Sequence, residues 1–131
     1  MVLSSKLGRL NWYPNNKSEL INALDHYLSH GISYESHHIQ AIICPHAGYK
    51  YCGPVIGHAM AAIKDQAIKH VIILGPSHQS PLKNSFITPL SSIFQTEIGR
   101  STVNKAFIEN ISTIEGHQEN DELFETEHSI W

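Results

Sequence analysis

Apolar positions recur along this chain in two rhythms, and each predicts a different kind of element. Asn16 offers a capping side chain, and Glu19 follows at capping-box spacing. Leu20, Leu24, Tyr27 and Leu28 then fall on one face, which predicts a helix that stops near Gly31. Residues 32–38 are polar and read as a loop. Residues 39–44 form a short apolar run of β-branched character, which predicts a buried strand ended by Pro45. From Gly53 to about Ala67 the helical rhythm returns, with Val55, Ile56, Ala59, Met60 and Ile63 as its buried stripe. Residues 70–74 repeat the strand pattern and are ended by Gly75-Pro76. Strand, helix, strand over this length is a βαβ unit, whose strands are parallel.

Beyond Pro81 the pattern weakens. Residues 85–90 and 93–98 predict two shorter strands. Residues 102–110 predict a helix with Val103, Ala106 and Phe107 facing inward. The stretch from Glu115 to Glu127 holds six acidic residues and no Lys or Arg. Residues 1–14 look irregular and end in Trp12-Tyr13-Pro14. With only two core strands and a motif-like ending, Glu127-His128-Ser129-Ile130-Trp131, the 131 residues read as a single partial domain of a larger doubly wound α/β fold.

Composition narrows the function more than the fold. A net charge of −3 with neutral histidines gives no basic surface for nucleic acid. No run of about 18 apolar residues predicts a membrane span, and the first residues lack the apolar centre of a signal peptide. Cys44 and Cys52 are not spaced as a metal-binding C-x-x-C pair, and Cys44 reads as a small buried apolar residue. A cytoplasmic protein is expected.

Histidine, at 10 residues, is the unusual count. It is the commonest metal ligand and the usual acid–base residue near neutral pH. Both predicted core strands end alike, in a proline-containing turn and then a histidine: Pro45-His46 and Gly75-Pro76-Ser77-His78. In parallel sheets the carboxyl ends of strands form the ligand crevice. His46 and His78 should therefore project from one sheet edge and could share a metal ion; neutral imidazole suits iron, copper or zinc. A lone histidine after a strand is more often a plain loop residue, and it is the matched pair that favours the metal. His26, His30, His37 and His38 are expected to be solvated. His58 belongs on a helix surface, His70 at a strand start and His117 in the acidic stretch. No Walker sequence, dinucleotide fingerprint or G-x-S-x-G elbow occurs.

At these residues the chain resembles the Memo-like family, also called protein B of the AmmeMemoRadiSam system. The matching pieces are Trp12-Tyr13-Pro14, Pro45-His46-Ala47-Gly48-Tyr49 with Tyr51-Cys52-Gly53, Ile73-Leu74-Gly75-Pro76-Ser77-His78, Thr88-Pro89-Leu90 and Glu127-His128-Ser129-Ile130. Ser91 stands where the family usually has a glycine. The resemblance implies a three-layer α/β/α fold with a mostly parallel central sheet, similar to the class III extradiol dioxygenases and incomplete in this chain. It implies His46 and His78 as ligands of iron(II) or copper, with further ligands beyond this segment. Tyr49, Ser77 and His128 would support the site or meet substrate. His128 follows the acidic run beside Glu127, where a carboxylate could hydrogen-bond its ring, but the favoured reading is a solvated residue at a frayed end. The expected activity is a metal-dependent oxidoreductase or a relic of one. Expected partners are a small molecule or peptide in the cleft and proteins of a radical SAM system. The alternative is a non-catalytic adaptor using the same cleft.

Overall fold

A computed structural model describes residues 1–32 and 38–131. They fall into two compact units: residues 8–74, and residues 1–7 together with 75–131.

The unit of residues 8–74 is helical. A 3-10 turn, Gly8–Leu10, precedes α1, Lys17–Ser29, and α2, Tyr49–Ala61. The start of α1 follows the sequence signal. Asn16 Oδ1 accepts from the backbone N–H of Ser18 at 2.9 Å and of Glu19 at 3.3 Å, satisfying donors that a helix start leaves open. Leu20 is buried on the inner face. Because this cap is an isolated surface bond pair, Asn16→Ala is expected to cost about 1 kcal/mol. Urea unfolding followed by helical circular dichroism checks this, and an unchanged midpoint would show that the cap contributes nothing.

Helix α2 begins four residues earlier than the apolar stripe predicts. Gly48 caps it without a side chain, and its carbonyl accepts from the N–H groups of Tyr51 (2.8 Å) and Cys52 (3.3 Å). The Tyr49 N–H donates to the Trp12 carbonyl at 2.8 Å, which ties the helix start to the chain before α1. Pro54 sits inside α2. It donates no N–H, so the helix forgoes one ladder bond there. The two helices approach closely because Gly53 and Gly57 face Tyr27. A Cβ on Gly53 would lie 2.5 Å from the Tyr27 ring, and one on Gly57 would lie 2.6 Å from the Tyr27 carbonyl carbon. An apolar cavity of about 120 Å³ remains between the helices, lined by Leu24, Tyr27, Ile56 and Met60 among others.

The two core strands expected at 39–44 and 70–74 do not form. Both segments lack regular secondary structure; Ile39, Ile42 and Cys44 are only half-buried, and Ile43 is 98% and Leu74 89% exposed. The reason is physical. A strand buried on both faces needs ladder partners and covering helices, and no strand forms among the described residues of this unit. His46 and His78 are therefore not carried on paired strand ends. Of the histidines expected to be solvated, His26, His30 and His38 are exposed, and His37 lies outside the described residues.

Among the described residues the other unit holds the strands, each three residues long: β1, Val2–Ser4; β2, Phe86–Thr88; β3, Ile93–Gln95; β4, Arg100–Thr102; and β5, His117–Glu119. Two helices join them, α3, Lys105–Ile111, and α4, Glu122–Thr126. One sheet has the order β1-β3-β4, with β1 parallel to β3 (Val2 opposite Ile93) and β4 antiparallel to β3. The second pairs β2 with β5 in parallel, Phe86 opposite His117. Helices together with mostly parallel pairings make an incomplete α/β fold, as expected, although the expected strands at 85–90 and 93–98 shrink to 86–88 and 93–95 and join different sheets.

Leu3, Leu7 and Ile108 are the buried apolar residues of this unit. Phe94 packs edge-on to Phe124 and within 5.0 Å of the Trp131 ring. Ser91 is almost wholly buried. Its hydroxyl donates to Asp121 at 2.7 Å and its N–H to the same carboxylate at 3.0 Å. A glycine there could make only the second bond. The serine thus joins the turn after β2 to the residue preceding α4.

Candidate metal centre

The segment that leads into His78 is held by the chain's last residues. The Ser129 hydroxyl donates to the Pro76 carbonyl at 2.9 Å. Gly75 allows this approach, since a Cβ there would lie 2.8 Å from the Ser129 Cβ and 2.9 Å from Ile130 Cδ1. The Ser77 hydroxyl donates to the Ser80 carbonyl at 2.7 Å and closes the turn that carries His78.

Glu127 follows directly on the end of α4, and its side chain turns toward His78. One carboxylate oxygen, Oε2, accepts the backbone N–H of His78 at 2.7 Å. The other, Oε1, lies 2.7 Å from Nδ1 of the same histidine and accepts the Ser129 N–H at 3.0 Å. The His128 ring packs on the His78 ring, centroids 4.1 Å apart and planes 31° apart. Its Nδ1 is 3.8 Å from Glu127 Oε1, too far for a hydrogen bond. The favoured reading of His128 as a solvated residue is thus corrected, since its side chain is only 15% exposed; the carboxylate bonds His78, 49 residues away. Adjacent side chains diverge at a helix end, whereas the turn at 75–80 brings His78 to the acid.

Glu127 is only 7% exposed. Burial pushes its carboxyl pKa up. Hydrogen bonds from His78 and from the Ser129 N–H outweigh that and lower it to about 2. The site therefore contains a fixed negative charge behind two stacked imidazoles. That donor chemistry fits iron, copper or zinc, which imidazole binds well.

The remaining expected residues lie in the helical unit. His46 is exposed in the loop before Gly48 caps α2. Tyr49 is the first residue of α2, its ring 5.8 Å from that of Tyr13 and 6.3 Å from that of Tyr27, and its carbonyl accepts from the Tyr27 hydroxyl. Cys44 and Cys52 are both free thiols. Cys52 is buried and donates to the Ala47 carbonyl at 2.8 Å, whereas Cys44 is half-buried rather than fully so. Burial raises both thiol pKa values, which leaves neither poised as a thiolate nucleophile. Of the remaining histidines, His58 bonds the Pro54 carbonyl on the surface of α2, and His117 Nε2 lies 2.8 Å from the Thr88 hydroxyl within the β2–β5 pair. No helix among the described residues is long and apolar enough to cross a membrane.

Comparison with known proteins matches residues 10–131 to the sequence profile of Memo-like proteins. A yeast (Saccharomyces cerevisiae) protein described as the MEMO1 family protein MHO1 is 36% identical over 96 residues, covering 72% of this chain. The zebrafish (Danio rerio) protein MEMO1 is 36% identical over 88 residues, covering 67%. The nematode (Caenorhabditis elegans) memo-1 homolog is 32% identical over 118 residues, covering 90%. The matched stretch spans only 28%, 29% and 30% of those three relatives.

Proposed function

We propose, for a chain that belongs to the Memo-like family, that it is the part of a metal-binding protein that supplies histidine ligands to one iron or copper ion. His78 and His128 lie ring on ring within one unit, and His46 is the further ligand that the family motif implies. The observation that carries this is the His78–His128 pair, two imidazoles stacked against one buried carboxylate. A buried carboxylate backing an imidazole is the usual arrangement behind a metal-bound histidine. When bound, iron or copper would supply Lewis-acid or redox chemistry at open coordination positions.

The chain's own residues have simpler tasks. His78 and His128 present ring nitrogens, and His46, in the loop before α2, is the ligand expected from its motif. Ser77 holds the turn that aims His78, by its bond to Ser80. Tyr49 stands beside the His46 loop and would orient substrate. The substrate is a small molecule or peptide, and a radical SAM protein is the proposed partner system. In this reading the complete protein acts as a metal-dependent oxidoreductase in the cytoplasm.

Titration of the metal-stripped chain with Fe(II), Cu(II) and Co(II), followed by metal analysis after desalting, tests the ligand assignment. One ion per chain is expected, weakened about 100-fold by His78→Ala and by His46→Ala. If both variants bind as the parent chain does, the metal reading fails and the cleft of a non-catalytic adaptor becomes the better account.

A further inference from the structure

We propose that Glu127 is a positioning residue that sets the tautomer of His78, placing the proton on Nδ1 and the lone pair on Nε2, so that Nε2 is the atom offered to a metal. The inference rests on the metal reading above for its consequence, but the tautomer itself does not depend on it.

The argument is one of donors and acceptors. An ionised carboxylate only accepts hydrogen bonds. Glu127 uses Oε2 for the backbone N–H of His78 and Oε1 for Nδ1 of the same residue, both at 2.7 Å. Nδ1 can therefore make its bond only by carrying the proton. In an unconstrained neutral imidazole either nitrogen can carry it. Here one acid grips the residue at two points, which fixes its ring orientation as well as its proton. The Ser129 N–H on Oε1 and the Ser129 hydroxyl on Pro76 hold both ends of the arrangement. His128 stacks on the ring, its Nδ1 3.8 Å from Oε1 and beyond hydrogen-bond distance.

Glutamine at position 127 separates this role from a merely structural one. Its amide has one acceptor where the carboxylate has two. If the amide oxygen takes the Oε1 place, the His78 backbone N–H faces an NH₂ group. If it takes the Oε2 place, the Ser129 N–H does, and the amide then donates to Nδ1 and drives the proton to Nε2. Neither orientation satisfies every donor, so the single tautomer preference is lost while the shape is kept.

The measurement is proton–nitrogen correlation spectroscopy of the chain labelled with ¹⁵N-histidine, free of metal and at neutral pH. In the parent chain His78 is expected as one tautomer, with Nδ1 protonated. In Glu127→Gln both tautomers are expected, with Trp131 fluorescence unchanged to show that the unit is folded. A parent spectrum with the proton on Nε2, or on both nitrogens, overturns the proposal without any substitution being made. So does a Glu127→Gln spectrum identical to the parent's. Co(II) titration then reads the consequence: Glu127→Gln should weaken binding 10- to 100-fold, the effect of losing such a supporting partner. If the spectra behave as expected but His78→Ala leaves Co(II) affinity unchanged, the metal reading fails and the tautomer assignment stands. If His78→Ala abolishes binding and Glu127→Gln leaves it intact, the positioning role is overturned and the metal reading survives.

Discussion

Alanine at position 57 is expected to destabilise the helical unit by about 3 kcal/mol, although the same change in an exposed helix would stabilise it. Alanine is the better helix former by up to about 1 kcal/mol, so propensity and packing pull in opposite directions here. Packing decides. The new methyl would lie 2.6 Å from both the carbonyl carbon and the Cβ of Tyr27. Those atoms cannot swing aside as the tip of a flexible side chain can. The helices must separate, and overpacking of this kind costs about 1–3 kcal/mol and occasionally more. Trp12 belongs to this unit and Trp131 to the other, so the loss is read in a Trp131→Phe background by urea unfolding followed through Trp12. Equal or greater stability would mean that α1 and α2 are free to shift apart. Gly53→Ala meets the Tyr27 ring rather than backbone, and should cost less because a ring can rotate.

The second large effect is acid-dependent. The Glu127 carboxyl ordinarily titrates at 4.5 and in the folded chain at about 2. A depressed folded pKa contributes stability that is fully present above pH 4.5 and disappears as pH falls toward 2. The integrated loss is about 3 kcal/mol. It is read through Trp131 in a Trp12→Phe background, as unfolding midpoints between pH 6 and pH 2. Asp121 acts in the same direction. Burial raises its pKa, but the bonds from Ser91 and the charge of Lys105 lower it more, so the parent curve contains both acids. The difference between the parent and Glu127→Gln isolates the contribution of Glu127. Parallel curves over that range would show that the carboxylate is no better solvated by His78 and Ser129 than by water.

The signals that could be read from sequence were the local ones. Asn16 and Glu19 marked the start of α1 because a cap is decided within four residues. The order of the motifs identified the family for the same reason. The strands at 39–44 and 70–74 were not legible, because an apolar β-branched run states a capacity to be buried, and only a ladder partner turns it into a strand. The converse holds for β5. His117-Gln118-Glu119 has no strand rhythm, and pairing with Phe86–Thr88 makes it one. At the candidate site His78 was found from its turn and His128 from its motif. The bond between His78 and Glu127 spans 49 residues and is invisible to any window. Ser91 showed its departure from the family pattern in the sequence, but its partner, Asp121, lies 30 residues on.

The parallel pairing of β1 with β3 has a consequence for how the chain is made. Val2 pairs with Ile93, so β1 leaves the ribosome ahead of its partner, which follows only about 90 residues later, roughly 5–20 s at ordinary synthesis rates. The helical unit lies wholly within that interval and holds every residue it needs once position 74 has emerged. Order of manufacture and order of assembly are therefore inverted for residues 1–7. A nascent chain halted after position 74 has emerged but with Ile93 still inside the exit tunnel should protect the amides of α1 and α2 from exchange and leave those of β1 open.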